Sequence, residues 1–229
     1  MNGGKSILEV EGLTIRFGGL VAVSDVTFQQ TEGEILSIIG PNGAGKTTIF
    51  NMMTGFYKPT AGDIRYRGQS TLGLPTHAIS DLGIIRTFQK TMVFPKATVR
   101  DGVLIGLHQS SSVGWWEILW NSARKIKEDA GLQVEADRIL EFTGLADKAH
   151  MEARNLPYGE QRLLEIAVGL APRPDLLLLD EPASGMNAEE SAKTLALIRR
   201  IRETGITVLL VEHNMRVVMD ISDRIVVLD

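Results

Sequence analysis

The sequence predicts an α/β protein with a parallel central sheet, an antiparallel β-hairpin at its start and a helical segment inserted into its middle. Three observations carry this. First, short apolar runs at Ile35–Ile39, 176–179 and Thr207–Val211 alternate with stretches of helical periodicity. That is the pattern of strands buried on both faces and joined by helical crossovers. Second, the glycine-rich stretch Gly40-Pro41-Asn42-Gly43-Ala44-Gly45-Lys46-Thr47 stands between the first of these runs and a helical one. Third, residues 99–171 have helical periodicity and no strand pattern, with Arg138, Ile139, Leu140, Phe142 and Leu145 on one stripe.

The elements follow in order. Residues 7–30 alternate and are rich in β-branched residues, which predicts a hairpin with Gly18-Gly19 at its turn. The strand Ile35–Ile39 leads through the glycine loop into a helix over 48–54 that ends near Gly55. The turn Pro59-Thr60-Ala61-Gly62 precedes a short strand at 63–66, then a short helix over 75–82 and a strand at 84–88. After the helical insert comes the strand 176–179. Asn187, with Glu190 three residues on, resembles a capping box and opens a helix to about Glu203. Strand Thr207–Val211, helix Met215–Ile221 and a last strand at 225–228 complete the pattern. In a parallel sheet of this kind ligands bind at the carboxyl ends of the strands.

Bulk composition narrows the classes. A chain of 229 residues is long enough to bury a core without staples, and with no cysteine it has neither disulfides nor thiolate metal sites. A net charge of −4 and an isoelectric point near 5.6 leave no electrostatic footprint for nucleic acid. No apolar run approaches the roughly 20 residues of a membrane span, and the start MNGGKSILEV lacks the apolar core of a signal peptide. The chain is therefore expected to be soluble by itself, with any membrane role exercised through a partner.

The chemistry starts from the glycine loop. Its spacing is that of a phosphate-binding loop, in which Gly43 and Gly45 let the backbone curl so that N–H groups point inward and the helix N-terminus adds positive potential. Lys46 would reach the outer phosphates, and the Thr47 hydroxyl suits a magnesium ion. Asp180 and Glu181 end the leucine strand, where Asp180 can hold magnesium and Glu181 can polarise a water for attack on a γ-phosphate. His213 follows strand Thr207–Val211 and emerges at the same sheet edge, favouring a γ-phosphate contact. Gln89, after the strand at 84–88, is placed to sense magnesium and the attacking water. Each alone has an ordinary structural explanation; the ordered set points to nucleotide triphosphate chemistry.

These motifs, taken in order, resemble the nucleotide-binding subunit of an ABC transporter, and the resemblance spans nearly the whole chain. It implies one ABC ATPase domain over 1–229: a RecA-like core with an N-terminal antiparallel β-subdomain at about 1–98 and 172–229, and a helical subdomain at about 99–171 that ends in the signature helix. It implies ATP and Mg2+ as the bound species. Carried over by motif, Phe17 matches the aromatic residue that stacks on adenine; Gly40, Pro41, Asn42, Gly43, Ala44, Gly45, Lys46, Thr47 and Thr48 match the phosphate loop and the residue after it. Gln89 matches the glutamine loop, Asp180 and Glu181 the magnesium-binding acid and catalytic base, Ser184-Gly185-Met186-Asn187 the D-loop and His213 the switch histidine. Thr47, Gln89 and Asp180 would be the metal's protein neighbours.

The signature Leu156-Pro157-Tyr158-Gly159-Glu160-Gln161 departs from the family's usual Leu-Ser-Gly-Gly-Gln. Pro157 removes a hydroxyl and a backbone donor. Gly159 still opens a helix whose N-terminus, with Tyr158 and Glu160, could face the nucleotide of an opposite subunit. The departures, with Gly83-Ile84-Ile85-Arg86-Thr87-Phe88-Gln89 and Glu212-His213-Asn214-Met215, resemble the subgroup that imports branched-chain amino acids. The resemblance implies transmembrane permease subunits, a second ATPase subunit (identical or different), an extracytoplasmic solute-binding protein and a peripheral position on the cytoplasmic face of the inner membrane. It also implies that relatives continue past Asp229. Trp115, Trp116 and Trp120 fall in the insert, as core packing or as a contact with a membrane subunit. Two alternatives stay open from sequence: a regulatory subunit that binds ATP with little turnover, and the ATPase of a lipid or lipopolysaccharide exporter.

Overall fold

The computed structural model describes residues 5–87, 96–109 and 130–229. The chain groups into two compact units, the first formed by 1–86, 175–184 and 198–229, the second by 87–174 and 185–197.

The first unit holds two sheets. In the antiparallel one, β1 (Ser6–Phe17) pairs with β2 (Leu20–Thr31) and with β4 (Ala61–Tyr66), and the short β5 (Gln69–Ser70) completes the order β2-β1-β4-β5. The hairpin turn lies where the glycines place it, with Phe17 opposite Leu20. The strand β5 had no sequence signal because two exposed polar residues make no pattern.

The second sheet is wholly parallel, in the order β6 (Ile84–Arg86), β7 (Leu176–Asp180), β8 (Thr207–Val211), β3 (Ile35–Ile39), β9 (Arg224–Val227). Every residue of β7 and β8 is buried, which is why these strands read as unbroken apolar runs rather than alternating ones. The edge strand β9 is half exposed and one residue earlier than its apolar run suggests. Around this sheet lie α1 (Lys46–Met53), α2 (Thr76–Asp81) and α7 (Met215–Ile221). The core of this unit runs from Leu8, Val10 and Leu13 through Phe50 and Met53 to Leu178 and Leu209. The sheet order puts the ends of β7, β8 and β3 side by side, so the loops after 180, 211 and 39 share one edge.

The second unit is helical. It contains α3 (Val99–Gln109), α4 (Ala130–Thr143) and α5 (Tyr158–Leu170), which pack Val103, Leu104, Leu140, Leu164 and Ala167 into a separate core. The start of α6 (Ala188–Glu203) belongs with it. The capping box forms in both directions: Asn187 N–H donates to Glu190 Oε2 at 3.0 Å, and Glu190 N–H to Asn187 Oδ1 at 3.0 Å. Among the described residues no helix is long and apolar enough to cross a membrane.

Candidate functional site

The glycine loop joins β3 to α1 as the spacing predicts. Gly43 has φ 92° and Gly45 φ 88°, left-handed conformations that a side chain resists. At Gly45 space is a second constraint, since a Cβ would lie 2.6 Å from Val23 Cγ2 and 2.7 Å from Ala22 O. Ala44 N–H closes a turn on Pro41 O, and Ile49 N–H bonds Gly45 O as α1 begins. Asn42 and Gly43 are exposed, while Lys46 is buried. Lys46 Nζ donates to Gly40 O at 2.7 Å and Pro41 O at 2.9 Å, so in this state the ammonium is satisfied by the loop itself. Thr47 and Thr48 follow in the first turn of α1.

The carboxyl ends of β7 and β8 bring the acids and the histidine together. Asp180 is the last residue of β7 and is buried. Glu181 follows at φ 47°, an uncommon conformation for a glutamate. It is held there by Glu181 N–H to Val211 O at 2.9 Å and Ser184 N–H to Glu181 O at 3.1 Å. His213 Nδ1 lies 3.4 Å from Glu181 Oε1, and both side chains remain open to solvent. Their attraction is ionic only when the imidazole carries a second proton.

Two residues of this edge carry geometry that sequence reasoning passed over. Arg86, the last residue of β6, donates to Asp180 Oδ2 at 2.8 Å and to Asn51 Oδ1 of α1 at 2.6 Å, with its guanidinium 5.5 Å from the Phe50 ring centroid. A cation ending an apolar strand three residues before Gln89 was the available signal. Glu212 sits between β8 and His213 and is 1% exposed. It offered the same signal that singled out Asp180, an acid ending a buried strand.

Phe17 is the end of β1, 44% exposed, so it is not a core residue; its ring meets Tyr57 edge-on at 5.2 Å, and Tyr57 meets Phe56 likewise. Gln89 and the tryptophans 115, 116 and 120 lie outside the described residues.

In the helical unit, Pro157 is the N-cap of α5 and makes no side-chain cap bond. The structure gives each signature residue a protein partner. The Tyr158 ring packs over Gly185, whose Cβ position lies 3.2 Å from Tyr158 Cε1, and Arg162 stacks on the same ring and donates to its hydroxyl at 3.1 Å. Gly159 faces the Glu190 carboxylate, 3.0 Å from its Cβ position. Glu160 accepts a short hydrogen bond from Lys148. Gln161 Nε2 ties back to Leu156 O at 2.8 Å. One turn on, burial pushes the Glu165 carboxyl above its ordinary range, against the pull of Arg162 at 2.7 Å.

Asp180, one of whose oxygens accepts from Arg86, and the Thr47 hydroxyl each offer oxygen, the donor type a magnesium ion takes alongside phosphate oxygens. The residues therefore fit such an ion.

Comparisons with known proteins agree on one family. The family model described as ABC transporter matches residues 23–184, more than half of the chain. The high-affinity branched-chain amino acid transport ATP-binding protein BraF of Pseudomonas aeruginosa is 44% identical over 98% of this chain and 89% of its own length. LivG of Escherichia coli, with the same description, is 44% identical over 97% and 88%. Among solved structures, a nucleotide-free ATP-binding cassette from an ABC transporter superposes with TM-score 0.88 at 27% identity, covering 97% of this chain and 87% of that one. An ATP-binding cassette of an ABC transporter in its ADP conformation gives 0.87 at 28%, covering 97% and 87%.

Proposed function

The chain belongs to the ABC transporter family, and from that premise we propose that it is the subunit that hydrolyses ATP to drive uptake of branched-chain or related amino acids. The observation that carries the chemistry is the adjacency of Glu181 and His213, 3.4 Å apart, at the sheet edge where the phosphate loop also opens. The relatives' names carry the solute class and favour the import reading over the exporter one.

In this reading the amides of the loop 40–47 cradle the phosphates, and the N-terminus of α1 supplies positive potential. Lys46 exchanges its two carbonyl acceptors for phosphate oxygens, a swap that keeps a buried ammonium satisfied throughout. Thr47 and Asp180 would hold the magnesium ion, with Gln89 beside it; when bound, the ion screens the charge of the phosphates. Glu181 accepts a proton from the attacking water, and His213 holds that carboxylate in place and faces the γ-phosphate. Phe17 offers an exposed face to adenine. Tyr158, Gly159 and Glu160 would face the nucleotide held by a second ATPase subunit. Two permease subunits and an extracytoplasmic binding protein complete the transporter, with this chain peripheral on the cytoplasmic face of the membrane.

The test is ATP hydrolysis with and without reconstituted permease and solute-loaded binding protein. Turnover that rises with a branched-chain amino acid and disappears in Glu181→Gln supports the reading. Turnover unchanged by Glu181→Gln removes Glu181 as the base, and ATP binding with no turnover in the whole assembly would identify a regulatory subunit instead.

A further inference from the structure

We propose that Glu212 is a positioning residue that ties the loop of the catalytic base to the loop of the switch histidine, so that Glu181 and His213 hold one mutual geometry. The proposal rests on the ATPase reading above. Glu212 is an acid at 1% exposure, yet among the described residues no lysine or arginine forms a salt bridge with it. Its charge is met by backbone instead. Oε1 accepts Ala183 N–H at 3.1 Å, and Oε2 accepts His213 N–H at 3.1 Å and Asn214 N–H at 3.4 Å. One oxygen therefore holds the chain two residues after Glu181, and the other holds His213 itself.

The main chain at this point extends the same tie. Glu212 N–H donates to Ile38 O of β3, the strand that feeds the phosphate loop, and the preceding Val211 O accepts Glu181 N–H at 2.9 Å. The segment 211–212 thus bonds to the loop after β7 and to the strand that feeds the phosphate loop. A glutamate suits this place because an ionised carboxylate is acceptor-only and can serve three donors at once, charge-assisted, whereas an amide offers one acceptor and a competing donor. Backbone bonds to Val211 and Ser184 hold Glu181 at its positive φ, and the Glu212 carboxylate adds the side-chain tie to the exposed His213.

Glu212→Gln is close to isosteric and turns one of the two acceptors into a donor facing an N–H. It should free one loop from the other. The expected result is a kcat for ATP hydrolysis reduced roughly 10- to 100-fold, the cost of small misplacements of reacting groups, with the KM for ATP and calorimetric affinity for a non-hydrolysable ATP analogue within about twofold of wild type. Amide hydrogen exchange, read without any turnover, should accelerate at Ala183, His213 and Asn214 together. Unchanged kcat in a variant whose wild type hydrolyses ATP overturns the proposal, as does faster exchange spread over the whole chain with kcat and KM falling alike. If Glu212→Gln does not fold, Glu212→Asp keeps the charge, shortens the reach and should show the same split. If wild type itself hydrolyses nothing, the ATPase reading fails, and the exchange experiment alone decides the tie: coupled acceleration of both loops upholds it, acceleration of neither or of one removes it.

Discussion

At residue scale, the chemistry lies where backbone and side chain are each held against their preference. Glu181 occupies left-handed backbone, which costs a non-glycine residue about 1–3 kcal/mol. Replacing it with glycine relieves that strain at an unfolded-state cost of about 0.5–1 kcal/mol. Glu181→Gly should therefore melt above Glu181→Gln in thermal unfolding, while both lose ATP turnover by roughly 10²–10⁴. Equal melting points would show the backbone to be relaxed. Arg86 makes the complementary case. Its partner Asp180 has a side chain only 2% exposed, so Arg86→Ala leaves a buried carboxylate with one cation fewer and should cost about 3–5 kcal/mol in chemical denaturation. The positions of the phosphate loop, Asp180, Glu181 and His213 were legible in sequence because each ends or follows a conspicuous apolar strand. Arg86 and Glu212 showed the same kind of signal, a charge ending an apolar strand, but their partners depend on which neighbours the sheet order supplies. That order, β7 next to β8 next to β3, is not written in any local pattern.

At element scale, local physics is most legible where a helix starts. The Asn187–Glu190 pair predicted the start of α6, and both reciprocal bonds form at 3.0 Å. Asn187→Ala should destabilise the chain by about 1 kcal/mol in urea titration, with activity affected far less than by Glu181→Gln. The signature helix α5 has no such cap, since Pro157 has no polar side chain, and the sequence alone could not show what lies there instead. No side-chain cap bond takes its place; the Tyr158 ring on Gly185 and the Glu190 carboxylate near Gly159 pack against the first turn, long-range contacts that spacing does not encode. Deeper in α5, Glu165 binds its proton more tightly in the folded chain, because burial raises its pKa above the ordinary 4.5. Between 4.5 and that raised value the folded state carries more protons than the unfolded one, so this group's contribution to stability falls as pH rises. Thermal melts across that window should fall more steeply with pH in wild type than in Glu165→Gln. Parallel curves would show that Arg162 cancels the burial.

At the scale of the whole molecule, the two units carry different parts of the motif set. The phosphate loop, Asp180, Glu181 and His213 belong to the first, and the signature residues 156–161 to the second. In the proposed mechanism each signature serves the nucleotide of an opposite subunit, so a lone chain carries a bound ATP that lacks its second set of donors. Turnover should then depend on encounter. Specific ATPase activity of the isolated chain should rise with protein concentration until two chains associate, whereas nucleotide affinity per chain should not change, because every group of the phosphate cradle comes from one chain. The signature contacts add a second expectation. Glu160 lies in the first turn of α5, paired with Lys148, and Glu190 of α6 faces Gly159, so an incoming phosphate meets the Glu190 carboxylate beside the helix N-terminus. Glu190→Gln removes that charge while keeping the Asn187 N–H acceptor within reach. It should shift the concentration for half-maximal activity downward if the opposite subunit's phosphate approaches this helix. Activity that is independent of concentration in both wild type and variant would place the whole reaction within one chain and remove the signature from it.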